Sequence, residues 1–461
     1  MEAIAVVTNK CPTGLYRGYG GPPLYFVIER LVDWVAEALS MDPAEVRRRN
    51  FIRPDEFPYR TPSGGLYDGG DYQAVLEKAL HQLGYPEWRH RQAQARREGR
   101  LIGIGIACAV EPSGSNMGYI SVAKTPDERA LELPKFGCTE SVTVACTPAG
   151  GFVVRLNSVP TGQGHETAAA QIAAQELGVH PDDIQVVAEM DTLNRPWSIS
   201  TGSYSSRFAP LCASSLALAC RRLKERLQHI AAHLLGADPE DLELREGYFV
   251  NKSEPEQRIS LRRVIGTVYW NPQALPPQVD PGLEVTVHFN VPYAEAPDPQ
   301  DRVNSSVAYG FVADIAVVEV DKDTGFVRVI KYVSAHDAGR ILNPMLADGQ
   351  VAGSVIHGIA PALYEELVYD ERGNFLSGSF MDYLCPTAAE APPLEIVHHE
   401  TPSPFTPLGA KGLGEGSTMT APAAIASAIE DALRPYGIRI DSLPVRPHDI
   451  LDKILKSGVF L

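Results

Sequence analysis

The chain has 461 residues, 44% hydrophobic and 21% charged, with a formal net charge of −16. That acidity, with no run of Lys and Arg, excludes a nucleic-acid binder, whose phosphate contacts need clustered cations. No apolar stretch reaches the ~20 residues of a membrane helix, Met1 to Val7 lack the form of a signal peptide, and the cytoplasm is the expected compartment. The seven cysteines (11, 108, 138, 146, 212, 220, 385) are dispersed. None has C-x-x-C or iron–sulfur spacing, so by spacing the chain holds no cluster or structural zinc and suits a reducing compartment.

In chain order, residues 6–10 read as a strand entering a turn-and-glycine loop at 11–23. Helical periodicity follows over 24–39 and 44–50, then a turn-rich stretch at 52–75, with helices at 72–83 and 87–98. A strand-and-turn system spans 101–159, a helix 165–177, a strand 184–190 and a long helix 208–235. Residues 250–305 mix strands with Pro-rich loop, and 307–335 form a hairpin turning at Asp321 to Gly325. A helix at 346–363, a strand at 364–370 and a helix at 420–433 complete the set. Strands and helices alternate irregularly, which predicts an α+β fold rather than a doubly wound sheet. A glycine loop this soon after the first strand points to a chain that begins inside a domain.

Three loops share one design. Lys411-Gly412-Leu413-Gly414-Glu415-Gly416 sets a carboxylate on a glycine-rich turn just before an apolar helix. Glu415 there is either a dipole-complementing helix start or an acid–base group aimed at a ligand. Thr161-Gly162-Gln163-Gly164-His165 precedes the helix at 165–177, and Thr201-Gly202-Ser203-Tyr204-Ser205-Ser206-Arg207 precedes the long helix. Helix starts with free N–H groups are anion sites, and the hydroxyls and Arg207 add donors. Three such loops favour a large anionic cofactor over ordinary capping. Neither a Walker pattern nor a post-strand G-x-G-x-x-G is present, so the cofactor is not ATP or a nicotinamide dinucleotide held in the usual way. Tyr16-Arg17-Gly18-Tyr19-Gly20-Gly21 offers a fixed cation and an aromatic ring, suited to a flat, electron-poor substrate or to a plain turn. The pairs His165-Glu166 and His398-His399 read as capping and a solvated strand before they read as metal ligands. No G-x-S-x-G elbow supports a hydrolase.

Taken together these motifs resemble the molybdenum-binding large subunit of the xanthine dehydrogenase, aldehyde oxidase and carbon monoxide dehydrogenase family. The resemblance spans nearly the whole chain. Arg17 to Gly21 is similar to the family's Arg-Gly-aromatic-Gly active-site loop, and 161–167 to its Gly-Gln-Gly cofactor loop. Residues 201–207 are similar to its Ser-rich loop, and Asp337 to Pro344 with Asn343, Gln350, Gly353 and Gly358 to a block near the pterin. Lys411 to Glu415 is similar to the loop bearing the catalytic glutamate.

The resemblance implies elongated molybdopterin-binding domains, with 1–95 completing a first domain and 96–461 forming a second. It implies a molybdopterin cytosine dinucleotide whose dithiolene, not the protein, holds the metal. Implied cofactor contacts are Gly18, Thr161, Gly162, Gln163, Gly164, His165, Thr201, Ser203, Ser205, Ser206, Arg207, Asn343, Gln350, Lys411, Gly412, Leu413 and Gly414. Glu415 is expected as the base and Arg17 as its catalytic neighbour; Tyr19, Glu111, Ser115 and Asn116 are expected to meet substrate. The implied reaction is hydroxylation of an aldehyde or N-heteroaromatic carbon with water as the oxygen source. Electrons leave to 2Fe-2S and FAD subunits in a dimer of heteromers. The alternative is a family member with other chemistry, or an inactive scaffold. Two departures stand out. The chain has about half the family's usual length and lacks the Gly-Gly-x-Phe-Gly loop, as expected of the C-terminal half of a split subunit, the N-terminal half being a separate chain. Gly18 also stands where carbon monoxide-oxidising members carry a copper-holding cysteine, and Cys11 is a poor substitute.

Overall fold

The computed structural model describes residues 4, 6–12, 14–133, 137–189, 202–277 and 279–459. Helices α1 (Gly21–Ala38) and α2 (Pro43–Asn50) are followed by the two-residue strands β1 (Tyr59–Arg60) and β2 (Leu66–Tyr67). Helices α3 (Tyr72–Leu83) and α4 (Tyr85–Arg97) lead into the long strand β3 (Leu101–Ser113). Next come α5 (Pro126–Ala130), β4 (Glu140–Cys146), β5 (Phe152–Leu156), α6 (His165–Leu177), β6 (Ile184–Val187) and α7 (Ala213–Leu235). Strands β7 (Leu242–Arg245), β8 (Tyr248–Asn251) and β9 (Arg258–Ser260) precede α8 (Leu261–Trp270) and β10 (Glu284–Phe289). The chain closes through β11 (Ala308–Val320), β12 (Val327–Asp337), α9 (Pro344–Leu363), β13 (Leu394–His399), α10 (Gly416–Ala432) and α11 (Pro447–Ser457).

Two four-stranded sheets organise these elements, in the orders β13-β12-β11-β3 and β10-β4-β5-β6. Each has two antiparallel pairs and one parallel pair, an α+β arrangement. In the first sheet β11 is buried along nearly its whole length, and its continuous apolar run suits a strand covered on both faces. One face packs Val75, Leu76, Ala79 and Leu80 of α3, and the other Val351, Val355 and Ile359 of α9 with Ile425 and Ile429 of α10. The second sheet buries Val142, Val144 and Val154 against α6 and α7.

The helix α10 lies with its backbone against β3. A Cβ on Gly103 would sit 1.8 Å from the Ala428 carbonyl oxygen, and one on Gly105 2.1 Å from that of Ala424. Glycine is therefore required at both positions for the approach. The first turn of α10 is pinned by Asp314, a fully buried carboxylate on β11 that accepts the hydroxyls of Ser334, Tyr332, Thr420 and Ser417. Burial pushes the Asp314 carboxyl up, and those four donors pull it back.

Four expected elements differ. Residues 6–10 form no strand: Val7 is 99% exposed, and among the described residues no strand pairs with them. Residues 364–370 are irregular with a single bridge, Tyr369 to Phe375, because the Asp370-Glu371-Arg372-Gly373-Asn374 turn ties Asp370 to Asn374. The last long helix begins at Gly416, not 420, since Thr418 and Ser417 spend their hydroxyls on tertiary partners rather than on a turn. Within 250–305 the structure places a helix, α8, capped by the Ser260 hydroxyl on the Arg263 N–H.

Gly105→Val should destabilise the chain by about 3 kcal/mol or more, since the added side chain must separate α10 from β3. Gly349→Ala, at an exposed α9 position with no atom within 4 Å of the new Cβ, should be neutral or stabilise by about 0.5–1 kcal/mol. Urea unfolding of both variants measures the contrast.

Candidate active site

Glu415 is the residue before α10, at φ −119° and ψ −14°, and its side chain makes no capping bond. Instead its Oε1 accepts the Gly18 N–H at 3.2 Å, across nearly the whole sequence. Its own N–H donates to Glu111 Oε1 at 2.9 Å. Burial raises the Glu415 carboxyl above its ordinary range, while the Gly18 N–H and the Arg17 charge hold the rise back. Arg17 is fixed in turn: Nε donates to the Gly414 carbonyl and Nη2 to the Gln350 carbonyl and Oε1 at 3.0 and 3.1 Å. Burial pulls its guanidinium below the usual arginine value.

Around Glu415 opens a cavity of about 550 Å³. Of the expected cofactor contacts, it brings together Thr161, Gly162, Gln163, Gly164, His165, Ser203, Ser206, Arg207, Asn343, Gln350, Lys411, Gly412, Leu413 and Gly414, with Arg17 and Glu415. The Thr161–Gly164 turn is self-braced, Gln163 Oε1 accepting the Thr161 N–H and hydroxyl. It ends at Gly164, φ +79°, which starts α6 with no side-chain cap. His165 is buried and stacked on Phe208 with ring centroids 4.0 Å apart, and burial lowers it to about 4, so it is neutral. Ser205 and Ser206 both stand at positive φ (54° and 44°) and bend the loop against Gly414, whose N–H donates to Ser206 Oγ at 3.1 Å. Asn343 starts α9, with Oδ1 on the Leu346 N–H, and presents Nδ2 to Gln171. Lys411 contributes shape more than charge, since its ammonium donates to the Gly69 carbonyl at 2.7 Å and lies 3.9 Å from Asp68.

Other expected residues stand apart from the lining. Gly18 backs Glu415, and Ser205 Oγ accepts the Ser115 N–H. Ser115 and Asn116 spend their side chains on protein partners: Ser115 Oγ accepts the Met117 N–H, Asn116 Oδ1 accepts the Gly118 N–H, and Asn116 Nδ2 donates to the Glu295 and Asn304 carbonyls. Tyr19 is more than half exposed, 5.8 Å from the Tyr119 ring. Glu111 is buried beneath the Glu415 loop. Thr201 lies outside the described residues. Missing from the sequence reading are His357 and Leu346 on α9 and Phe208. Asn343, Leu346, Ala347, Gln350 and His357 recur at helical spacing, a periodicity that could have marked one lining face of α9.

Two features suit a large anionic cofactor. The Arg207 guanidinium is fully buried, with Nε on Glu140, and among the described residues neither Nη1 nor Nη2 finds a hydrogen-bond partner. Lying over the Tyr204 ring, 4.8 Å from its centroid, the fork keeps both nitrogens as donors that acceptor oxygens such as those of a phosphate would suit. The uncapped start of α6 adds backbone N–H groups and the positive end of a helix dipole on the same cavity wall. Among the described residues no three His, Cys, Asp or Glu side chains converge as metal ligands, so a metal at this site would be carried by its cofactor.

Comparison with known proteins gives the same picture. Residues 78–392 and 1–51 match models of the molybdopterin cofactor-binding domain. The chain is 36% identical over 445 residues to the nicotine 6-hydroxylase large subunit of Paenarthrobacter nicotinovorans, covering 96% of this chain and 51% of that one. It is 33% identical over 444 residues to the carbon monoxide dehydrogenase large chain of Hydrogenophaga pseudoflava, covering 95% and 52%. Quinoline 2-oxidoreductase from Pseudomonas putida 86 superposes with a TM-score of 0.85 at 32% identity, over 97% of this chain and 53% of the other. The chain thus spans about half the length of the relatives it matches. With these matches covering its cavity loops, the chain belongs to the molybdopterin-binding large-subunit family of the molybdenum hydroxylases.

Proposed function

We propose that this chain is the catalytic molybdenum-cofactor part of an oxidoreductase that hydroxylates an aldehyde or N-heteroaromatic carbon with water as the oxygen source. The observation that carries the reading is Glu415: a half-buried carboxylate freed from capping duty, held by a backbone N–H and set in the wall of a cofactor-sized cavity. A bound molybdopterin supplies two-electron redox chemistry at its metal. The protein supplies the proton transfer. Glu415 Oε1 is committed to the Gly18 N–H, which leaves Oε2 to take the proton from the oxygen nucleophile. Desolvation makes that oxygen a stronger base than a surface carboxylate. Arg17 balances the charge and ties Gly414 and Gln350 into one wall.

The cofactor is proposed in its cytosine dinucleotide form. The Arg207 fork and the start of α6, on loops forty residues apart in sequence, offer anion contacts beyond a single phosphate. Gly18 presents no thiol beside Arg17, which favours a hydroxylase over a copper–molybdenum site. The division at 1–95 and 96–461 is proposed as two molybdopterin-binding domains, the first completed by further polypeptide. Along α1, Leu24, Val27, Ile28, Leu31 and Val35 share one face and are each at least 41% exposed. Such an apolar face fits the other half of the large subunit. Electrons then leave to 2Fe-2S and FAD subunits, since the five buried and two exposed cysteines described here are all free and dispersed.

The complex purified after co-expression with its partners and maturation factors should contain molybdenum and release CMP on acid hydrolysis; metal-free protein would sink the reading. Glu415→Gln should keep the cofactor yet lower kcat at least about a hundredfold, the usual contribution of a positioned base. Retained turnover would reject the assignment. The Glu415 carboxyl is raised, so the acid limb of kcat/KM should lie above the ordinary glutamate value, activity falling as pH drops through it. Because Arg17 pulls that carboxyl down, Arg17→Gln should move the limb to higher pH, which a pH–rate profile reads directly.

A further inference from the structure

Behind the base stands a second carboxylate with no place in the mechanism above. Glu111 lies near the end of β3, 2% exposed, and does not line the cavity. Its Oε1 collects two donors from two separate loops: the Ser206 hydroxyl at 2.8 Å and the Glu415 N–H at 2.9 Å. Ser206 Oγ passes the connection on by accepting the Gly414 N–H at 3.1 Å. One oxygen thus orders both the serine loop and the two residues that carry the base. Space around it is equally specified, since a Cβ on Gly416 would fall 2.7 Å from Glu111 Oε2. An acceptor shielded from water makes the stronger bonds to such donors.

We propose that Glu111 is the positioning residue of this site, a carboxylate that fixes the Glu415 loop against the serine loop rather than a contact to substrate. The inference rests on the base reading of Glu415 and names what holds that base in place.

The groups facing Glu111 set its charge. Glu415 approaches from the start of α10, Arg17 from the loop before α1, and Tyr25 from α1, with its hydroxyl on the neighbouring Val110. His336 of β12 borders the same point, 3.3 Å from where a Gly416 Cβ would sit, and burial holds it at about 3, hence neutral. Burial first, then the Glu415 charge, push the Glu111 carboxyl up to about 7, against the pull of its two donors and Arg17. Glu111 and Glu415 therefore titrate as a coupled pair. Below pH 7 Glu111 holds the loops as a neutral acid; above it a second negative charge strengthens Glu415 as a base.

The test uses the holoenzyme complex in wild-type, Glu111→Gln, Glu111→Ala and Glu415→Gln forms, read by molybdenum content, pH–rate profiles and pH-difference infrared spectra of the carboxyl band. Wild type should show a buried carboxyl deprotonating near pH 7 and a matching inflection in kcat above the Glu415 limb. Glu111→Gln keeps an acceptor oxygen; it should retain molybdenum and the lower limb, and lose both the infrared event and the inflection. Glu111→Ala should retain molybdenum but lose roughly tenfold or more in kcat at every pH, with KM little changed. Glu415→Gln should move the infrared event to lower pH, because the repelling charge is gone. A Glu111→Ala enzyme that matches wild type at all pH values overturns the inference and leaves the base reading standing. Turnover retained in Glu415→Gln overturns the base reading itself. Raised KM with unchanged kcat in Glu111→Gln returns Glu111 to the substrate, and molybdenum lost in both Glu111 variants reduces it to a structural carboxylate.

Discussion

The contact on which the site depends is between two backbones. With no side chain at Gly103 or Gly105, α10 settles directly onto β3, and both elements then end at the same place. The end of β3 carries Glu111 and the start of α10 carries Glu415, so the packing that closes the core also sets two carboxyl groups against one another. A helix held a few ångströms further off by ordinary side chains would leave the Glu415 N–H out of reach of Glu111, and that bond has a span of only 2.9 Å. The Asp314 cluster acts in the same direction, gripping Ser417 and Thr420 so that the first turn of α10 cannot drift along the strand.

Electrostatics then follows from geometry. Glu111 and Glu415 are two acids in one dry region with a single guanidinium, Arg17, close to both. Burial disfavours ionising either, their proximity disfavours ionising both, and Arg17 with the Gly18 N–H favours Glu415. The outcome is a coupled pair in which burial and the Glu415 charge push the Glu111 carboxyl up to about 7. His165 and His336, which by residue type are the obvious proton carriers at pH 7, are both buried to neutrality, with values of about 4 and 3.

How much of this was legible in the sequence follows from range. Glycine spacing and helix periodicity are local, so the three loops, α6, α7 and the β11–β12 hairpin could be read almost to the residue. Glu415 stood out because a carboxylate between glycines has little packing to do. The resemblance of the loops to one family then joined them in space, and the cavity gathers most of the residues it implied. What local pattern could not convey was which polar side chains are spent internally. Ser115 and Asn116 look like ligand contacts in a loop rich in turn formers, yet Ser115 Oγ accepts the Met117 N–H and Asn116 Nδ2 reaches the Glu295 and Asn304 carbonyls, 179 and 188 residues away. Glu111 looks like a substrate contact for the same reason, and only its long-range partners show that it faces the protein. The expected strand at 6–10 had three β-branched residues in a row but no neighbour among the described residues, and a strand without a partner has no ladder to join.

The same reasoning bears on how the chain meets further polypeptide. Arg17 and Gly18 stand within one turn of the start of α1, and between them they hold Gly414, Gln350 and Glu415. The apolar face of α1 is bare from Leu24 to Val35, while its opposite side is anchored by the buried pairs of Arg47 with Glu29 and Arg30 with Glu430. A helix fixed on one side and wet on the other keeps its place but leaves its preceding loop half supported. Covering that face with the rest of a large subunit would bury the stripe and the loop together. On the proposed reading docking and base placement would be one event, since the exposed face of α1 is continuous with the loop whose Gly18 N–H holds Glu415.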